Sequence, residues 1–509
     1  MKTPTSWRMA VLSGFLLFIA VYAVPQQSQT PQSRVSIRIP PPDYNFAREN
    51  ERSLQLNLDN MSPGELRQVF DARRKRVLES IPDGAMLIFS VEQAQPRRLE
   101  FQVPHSENHD FIYLTGVEGL DGLDSALLLL PTQDKDWVVL YTSADPKQIG
   151  ETTGIEEVRP FSRLEEDLSV AMTDYRDWRI TQIRRWPLPM ALAKKWGDAH
   201  KVLYANYPRF LRLGMPEPER LTFFDKLKRF SPEVELRDSA DILDRVRMFQ
   251  DAYSLASLRR AARITGEGAV EALRAVRPGM TETQVMEIMD FVYRYRGAYL
   301  GFPTAVRRQP PAGRTAGRPI PEGFIQFVPR SNEVKFTASD MVHVDTGAAF
   351  NHHSADIQRT IPVGGKFDPE QARLYDIALN VQKTVISRIK PGVTWGELHN
   401  LAMQMLRDAG GYDRYYTYGI GHFLGMEVHD EGDYLQPLRP GMVLTIEQGV
   451  APPNGPRVAL EDDVLVTGEG NEWLTRFIPI ERSELEAMKA QPGSFEGFVK
   501  KPPLSFDAR

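Results

Sequence analysis

Cysteine is absent from all 509 residues. No disulfide can form within this protein, even in an oxidising compartment, and thiol catalysis is excluded. No block of basic residues stands out and the formal net charge is −5, which argues against a nucleic-acid partner. The apolar run "MAVLSGFLLFIAVYA" at residues 9–23 is short for a membrane-spanning helix. Asp-Thr/Ser-Gly occurs once, at Asp345-Thr346-Gly347, so the two-carboxylate site of an aspartic protease is excluded by counting. What remains is a globular balance, 42% hydrophobic and 25% charged, in a chain long enough for two or three domains.

Lys2 and Arg8 precede or flank the apolar run, the small residues Val21 and Ala23 close it, and a Gln/Ser/Pro-rich stretch follows. Residues 1–23 are expected to be a secretory signal peptide, with an uncleaved membrane anchor as the alternative. Loss of Lys2 and Arg8 takes the net charge from −5 to −7. The mature chain is then expected outside the cytoplasm, secreted or periplasmic. Residues 24–53, with "IPPPDY" inside, read as a flexible lead-in.

Residues 54–238 alternate strand-like and helix-like segments, including the apolar runs "GAMLIFS", "SALLLLP" and "WVVLYTS". They are expected to form a smaller α/β domain. A second domain is expected over residues 239–485, followed by a C-terminal tail, 486–509. Inside the second domain the chain echoes itself. "RPGMTETQVMEIMDFVYRYRG" starts at Arg277 and "KPGVTWGELHNLAMQMLRDAGG" at Lys390. Each opens an amphipathic helix with a capping box, Thr281 with Gln284 and Thr394 with Glu397. Downstream of each echo stands a strand pair with two acids, Asp345 and Asp356 in one case, Glu447 and Glu461 in the other. A duplicated α+β unit with its acids facing across a pseudo-symmetry axis accounts for both echoes.

Side chains alternate along a strand. In "MVHVDTG" that puts Asp345 opposite Val342 and Val344. In "ADIQRTIPV" it puts Asp356 opposite Ile357, Ile361 and Val363. Glu447 opposes Leu444 and Ile446 in the same way, and Glu461 opposes Val458, Leu460, Val464 and Val466. Burying four carboxylates together costs several kcal/mol each unless something compensates them, and cations are the obvious compensation. "GIGHFLGMEVHDEG" adds His422 and His429. Imidazole with carboxylates suits first-row divalent metals, and this donor set suits two ions sharing ligands. Such a pair lowers the pKa of a shared water and steadies a tetrahedral intermediate. Any one of these residues alone is more often structural; five in paired and echoed positions are not. His352 and His353 read as exposed turn residues.

Four segments then resemble one family, the proline-directed metallopeptidases of the pita-bread fold, the Xaa-Pro aminopeptidases and prolidases. They are "VDTGAAFNHHSADIQRTIPVGGKFDPEQARLYD", "GIGHFLGMEVHD", "MVLTIEQGV" and "LEDDVLVT". "HSENHDFIYLTGVEG" resembles the creatinase-type N-terminal domain of the same family, so the resemblance covers about residues 60–485. It implies an α+β architecture: a smaller α/β domain, then a C-terminal pita-bread catalytic domain with internal pseudo-symmetry. It implies that Asp345 chelates one metal, that Asp356 and Glu461 bridge two, and that His422 and Glu447 complete the second site. Glu447 would also shuttle protons for the attacking hydroxide, and His429 would bind substrate near the scissile carbonyl. The implied cofactors are two divalent ions, manganese by preference for a carboxylate-rich site, with cobalt, zinc or iron as alternatives. The implied substrate is a peptide with proline second, cut by a homo-dimer or tetramer that is not inserted in the membrane once the signal is cleaved.

The sequence departs from the family pattern beside these residues. Val328 stands where many members carry a His, Tyr418 where a His often precedes the metal His, and Gln448 where Pro is common. Ala459 replaces an Arg common two positions before the last Glu, and Arg457, on the same face, is the expected substitute in substrate binding. The metal ligands are intact while the substrate side is altered, so a related aminopeptidase or a prolidase-like dipeptidase of different specificity is the alternative. A non-catalytic binding protein on this fold, or a metal-free creatinase-like hydrolase, would be expected to lose ligands.

Overall fold

A computed structural model describes residues 44–90, 108–118, 124–172, 187–196, 201–206, 219–309, 335–415, 419–452 and 455–495. All of them lie within the compact unit Arg38–Arg509. The expected signal peptide falls outside the described residues. Among the described residues no helix is long and apolar enough to cross a membrane.

The first helix among the described residues is α1, Phe46–Gln55, capped by the Asn45 side chain, which accepts from Arg48 N. The lead-in expected to run flexibly to residue 53 therefore ends earlier. The helix is held by polar contacts to the second half of the chain. Glu49 Oε2 accepts from Ala252 N at 3.0 Å, and Arg259 donates to Ser53 Oγ and Asn50 Oδ1 at 2.6 and 2.8 Å.

The N-terminal domain follows. Helix α2, Pro63–Ser80, starts from a full Ser62/Glu65 capping box with proline in its first turn, where a missing N–H costs nothing. Among the described residues there follow β1 Ala85–Phe89, α3 His109–Thr115, β2 Ser125–Leu130, β3 Trp137–Thr142, α4 Pro146–Thr153, β4 Glu157–Pro160, α5 Arg163–Met172, α6 Pro187–Trp196 and β5 Lys201–Ala205. Helix α7, Glu219–Phe230, and strand β6, Val234–Asp238, complete the domain. The sheet order is β4-β3-β2-β1-β5-β6. The three apolar runs read from the sequence are its central strands, and they are buried throughout β1 and β2 as a sheet covered on both faces requires.

Helix α8, Ala240–Arg247, leads into the second domain. Helices α9, Ala252–Ala275, and α10, Glu282–Tyr295, precede strands β7 Tyr299–Leu300, β8 Ala305–Gln309, β9 Met341–Thr346, β10 Ala348–Phe350, β11 His353–Ser354 and β12 Ile357–Pro362. The second half repeats the order: α11 Pro369–Arg388, α12 Trp395–Asp408, then β13 Val443–Val450, β14 Val458–Val466 and β15 Asn471–Trp473. Both predicted capping boxes are present, at the starts of α10 and α12. An antiparallel sheet of order β13-β14-β12-β9-β8 joins the halves, with β15 on β14. One face carries Val342, Val344, Ile361, Leu444, Ile446, Leu460 and Val464 into the main apolar core. That leaves the opposite face for the acids. Helix α13, Arg482–Lys489, and the segment through Ser494, whose N–H donates to Glu271, pack on this domain, so the tail begins later than residue 486.

Candidate metal centre

The site is a row of side chains lying straight across the sheet. Strand register pairs Ala305 with Asp345, Asp345 with Gln358, Gln358 with Glu461, and Glu461 with Glu447. Neighbouring strands lie about 4.8 Å apart, so the row brings three carboxylates and one amide side by side. Asp356 stands two residues before Gln358 on the same face, and its N–H is bound by Asp463 Oδ1 at 3.2 Å. All four predicted acids thus share one face.

His422 arrives from the loop before β13. Its backbone pairs with Thr445, N to Oγ1 at 3.1 Å and O from Thr445 N at 2.8 Å. The approach demands glycine just before it: Gly421 has φ +146, and a Cβ there would lie 2.0 Å from Thr445 O. Nδ1 donates to Phe423 O at 3.0 Å, which leaves Nε2 as the lone-pair nitrogen. Nε2 stands 3.6 Å from both Asp356 Oδ2 and Glu461 Oε1. One donor atom from each of Asp356, His422 and Glu461 lies within 4.8 Å of the others. Asp345 and Glu447 are at the two ends of the acid row and outside that tightest trio.

The electrostatics are those of uncompensated anions. Burial, then the charge of Glu461, pushes both the Asp345 and the Glu447 carboxyl up to about 8. The same two causes raise Asp356 well above the carboxylate range, and they raise Asp463 as well. Burial alone would lower His422, but the nearby carboxylates of Asp356 and Glu461 outweigh that and raise it. Asp356 Oδ1 and Glu461 Oε1 are buried without a hydrogen-bond partner. Orphaned carboxylate oxygens facing the Nε2 of an imidazole are the donor set a divalent cation completes, so these residues fit the implied metals.

The predicted substrate residues lie beside the row. His429 is half-buried with its ring 4.1 Å from that of His422, centre to centre, at 77°. The half-buried Arg457 is near enough for its charge to lower Asp345, Glu447 and His343. Ala459 sits one row along, where Thr360 Oγ1 bonds its N at 3.1 Å and its O at 3.0 Å, and Gly449 is its partner on β13. Val328 and Tyr418 fall outside the described residues.

One expectation is corrected. Asn351 and His352 form the turn, with φ 51 and 60, but His353 is not exposed. It is 1% exposed, paired with Phe350, and its ring nitrogens meet Ser254 Oγ at 2.9 Å and Asn351 O at 2.6 Å. Two left-handed residues make the reversal so tight that the strand resumes one position early.

Sequence reasoning also missed Gln358, whose amide donates to Glu461 Oε2 at 2.5 Å. It missed Arg359, which is fully buried on the opposite face and grips Asp462 Oδ1 at 2.7 Å. Strand alternation placed Gln358 beside Asp356, and a neutral amide in that row was the available signal.

Both domains have counterparts among known proteins. Residues 256–468 match metallopeptidase family M24, and residues 70–178 match the aminopeptidase P N-terminal domain. The Xaa-Pro aminopeptidase of Escherichia coli is 26% identical over 467 residues, covering 83% of this chain and 97% of that protein. The Xaa-Pro dipeptidase of Pyrococcus horikoshii is 28% identical over 295 residues, covering 57% of this chain and 79% of that protein. Among solved structures, zinc-substituted E. coli aminopeptidase P in complex with product superposes with a TM-score of 0.64 at 24% identity, over 83% of this chain and 98% of that one. Proline aminopeptidase P II from Yersinia pestis gives 0.62 at 24%, over 83% and 99%. These neighbours share the two-domain pita-bread architecture. With both domains matched in order, the chain belongs to the M24 metallopeptidases of the Xaa-Pro aminopeptidase family.

Proposed function

We propose that the protein is a metal-dependent aminopeptidase that hydrolyses the bond between an N-terminal residue and proline, with Asp345, Asp356, His422, Glu447 and Glu461 holding two divalent ions. The observation that carries this is the in-register row Asp345–Gln358–Glu461–Glu447 with Asp356 and the Nε2 of His422 beside it. Divalent ions held by these residues would supply Lewis acidity toward a carbonyl and toward water. An oxygen-rich donor set with a single imidazole favours manganese.

The chain's own residues supply the rest. Glu447 takes a proton from the attacking water and returns it to the departing proline nitrogen. His429, half-buried beside His422, donates to the oxygen of the scissile carbonyl as charge develops there. Arg457 binds the substrate on the side opened by Ala459 and Gly449. The aminopeptidase relative is matched through both domains and the dipeptidase over a smaller share of this chain, which supports the aminopeptidase reading over the prolidase one. The N-terminal segment supports secretion or a periplasmic location, and a homo-oligomer is part of the same proposal.

Elemental analysis of the purified mature chain, with a peptide panel, tests it. The expected result is divalent metal bound to the chain and chelator-sensitive release of the first residue from an Xaa-Pro peptide. A metal-free chain sinks the reading. Equal cleavage of an Xaa-Ala control sinks the proline assignment alone.

A further inference from the structure

We propose that Arg307 and Arg457, set around His343 one row along from the acids, form a subsite that binds a carboxylate of the substrate on the leaving side of the scissile bond. The inference rests on the metallopeptidase reading above and deepens it by naming the class of peptide the site prefers.

The placement follows from strand register. Arg307 pairs with His343 as Ala305 pairs with Asp345, so a second row runs beside the acid row. It continues through Thr360, whose Oγ1 meets Ala459 N and O at 3.1 and 3.0 Å, to Gly449 on β13. Val306, Val344, Ile361 and Val458 point into the apolar core, which leaves Arg307, His343 and Thr360 on the site face. Arg457 stands two residues from Ala459 and, like Arg307, is half-buried. The charges of both arginines act on the His343 ring and on the Asp345 carboxyl, so the two guanidinium groups surround one patch. Thr360 gives its proton to Ala459 O, so His343 Nδ1 donates to Thr360 Oγ1 at 3.1 Å and the ring is fixed in the floor of that patch.

Charge changes sign from row to row. Asp356 flanks the acid row on the side away from Thr360, and Asp463 binds its N–H there. The acid row itself holds Asp345, Glu461 and Glu447, and the arginines follow on the other side. An extended peptide laid along the strands is therefore oriented, its N-terminal ammonium towards the acids and its carboxyl end towards the arginines. Rows on one face lie about 7 Å apart, the span of two extended residues. A peptide attacked above the acid row thus brings the residue after proline to Arg307 and Arg457. A carboxylate there, either the C-terminus of a tripeptide or an acidic side chain, meets planar guanidinium groups that bind it by paired hydrogen bonds. Arg307 Nη1 donates to Val306 O at 3.0 Å, and a guanidinium with five donors keeps such a bond while gripping a carboxylate.

The test compares kcat/KM of the full mature protein, supplied with Mn2+, on two pairs of peptides: Ala-Pro-Ala against its C-terminal amide, and Ala-Pro-Glu amide against Ala-Pro-Gln amide. Wild type is expected to favour the carboxylate by about tenfold or more in one pair, the worth of a hydrogen bond to an ionised group. A preference in the first pair identifies the terminal carboxylate, and one in the second an acidic side chain. In Arg307→Gln and in Arg457→Gln the preference should fall towards one. A merely structural role for either arginine would slow both members of a pair alike and leave their ratio standing. Equal rates within both pairs in wild type overturn the proposal, a result that needs no variant to fold. So does an unchanged ratio in either variant once thermal unfolding shows it folded. No hydrolysis of any of the four peptides defeats the metallopeptidase reading itself, which keeps the two failures apart.

Discussion

Arg73 of α2 and Asp251 at the start of α9 form a two-pronged ion pair closed to solvent, Nε to Oδ2 at 2.7 Å and Nη2 to Oδ1 at 3.1 Å. The pair fastens the N-terminal domain to the helix behind the site, and Asp251 Oδ1 also caps that helix through Ser254 N at 2.8 Å. A second buried guanidinium does similar work. Arg247 binds Asp110 of α3 at 2.8 Å and Asp430 of the His422–His429 loop at 2.5 Å.

Removing one partner of a buried pair leaves the other charged and unsolvated. Arg73→Leu is therefore expected to lower stability by about 3–5 kcal/mol. The pH dependence has a definite sign. Burial would raise the Asp251 carboxyl, but the charge and hydrogen bond of Arg73 outweigh it and hold it well below the usual range. A depressed carboxyl contributes stability that is fully present above its unfolded pKa, about 3.9, and is lost as pH falls towards the folded value. Thermal unfolding from pH 2 to 7 should show that loss in wild type and a flatter acid limb in Arg73→Leu. A variant as stable as wild type at pH 7 contradicts the assignment.

His353 acts in a different window. Burial first, then the charge of Arg73, pushes its imidazole down to about 3. The unfolded chain takes up this proton near pH 6.5, so the stability contribution is whole above that pH and drains away between 6.5 and 3. His353→Gln, which cannot titrate, should lose less stability than wild type between pH 7 and 4. Parallel unfolding curves for the two proteins would refute a buried, neutral His353.

Glu447→Ala removes a carboxylate from the acid row and the proposed proton carrier together. Turnover of an Xaa-Pro peptide should fall by about a hundredfold to ten-thousandfold, the range of general acid–base effects. Appreciable turnover in this variant would show that the proton travels by another group.

Ala459→Arg should place a guanidinium over Gly449, which presents no side chain across from it. One added charge-assisted hydrogen bond to substrate predicts roughly a tenfold rise in kcat/KM for proline peptides. An unchanged or lower value would mean that Arg457 already fills the role or that the space serves something else.

Much of this centre was legible before any coordinates. Period-two alternation alone puts Asp345, Asp356, Glu447 and Glu461 on the face opposite the valines and leucines, and the capping boxes at Thr281 and Thr394 mark the repeated helices. Register was not legible. Nothing local says that Gln358 pairs with both Asp345 and Glu461, because β12 meets β14 across about a hundred residues of chain. The same holds for Arg359 and Asp462, whose mutual burial is visible only once the strands are paired. The turn at Asn351 and His352 misled because two non-glycine residues adopt the left-handed conformation there. The start of α1 was hidden by proline-rich composition just ahead of it, although Asn45 carried an N-cap signal.

The pairing of β12 with β14 also sets when the protein can work. No stretch of chain holds the reactive group on its own; Asp356 and Glu461 come into reach only after distant segments have found each other. Long-range strand pairing of this kind is slow. A newly made chain is thus chemically silent until those distant segments have paired, and hydrolytic competence doubles as a report that this pairing has formed.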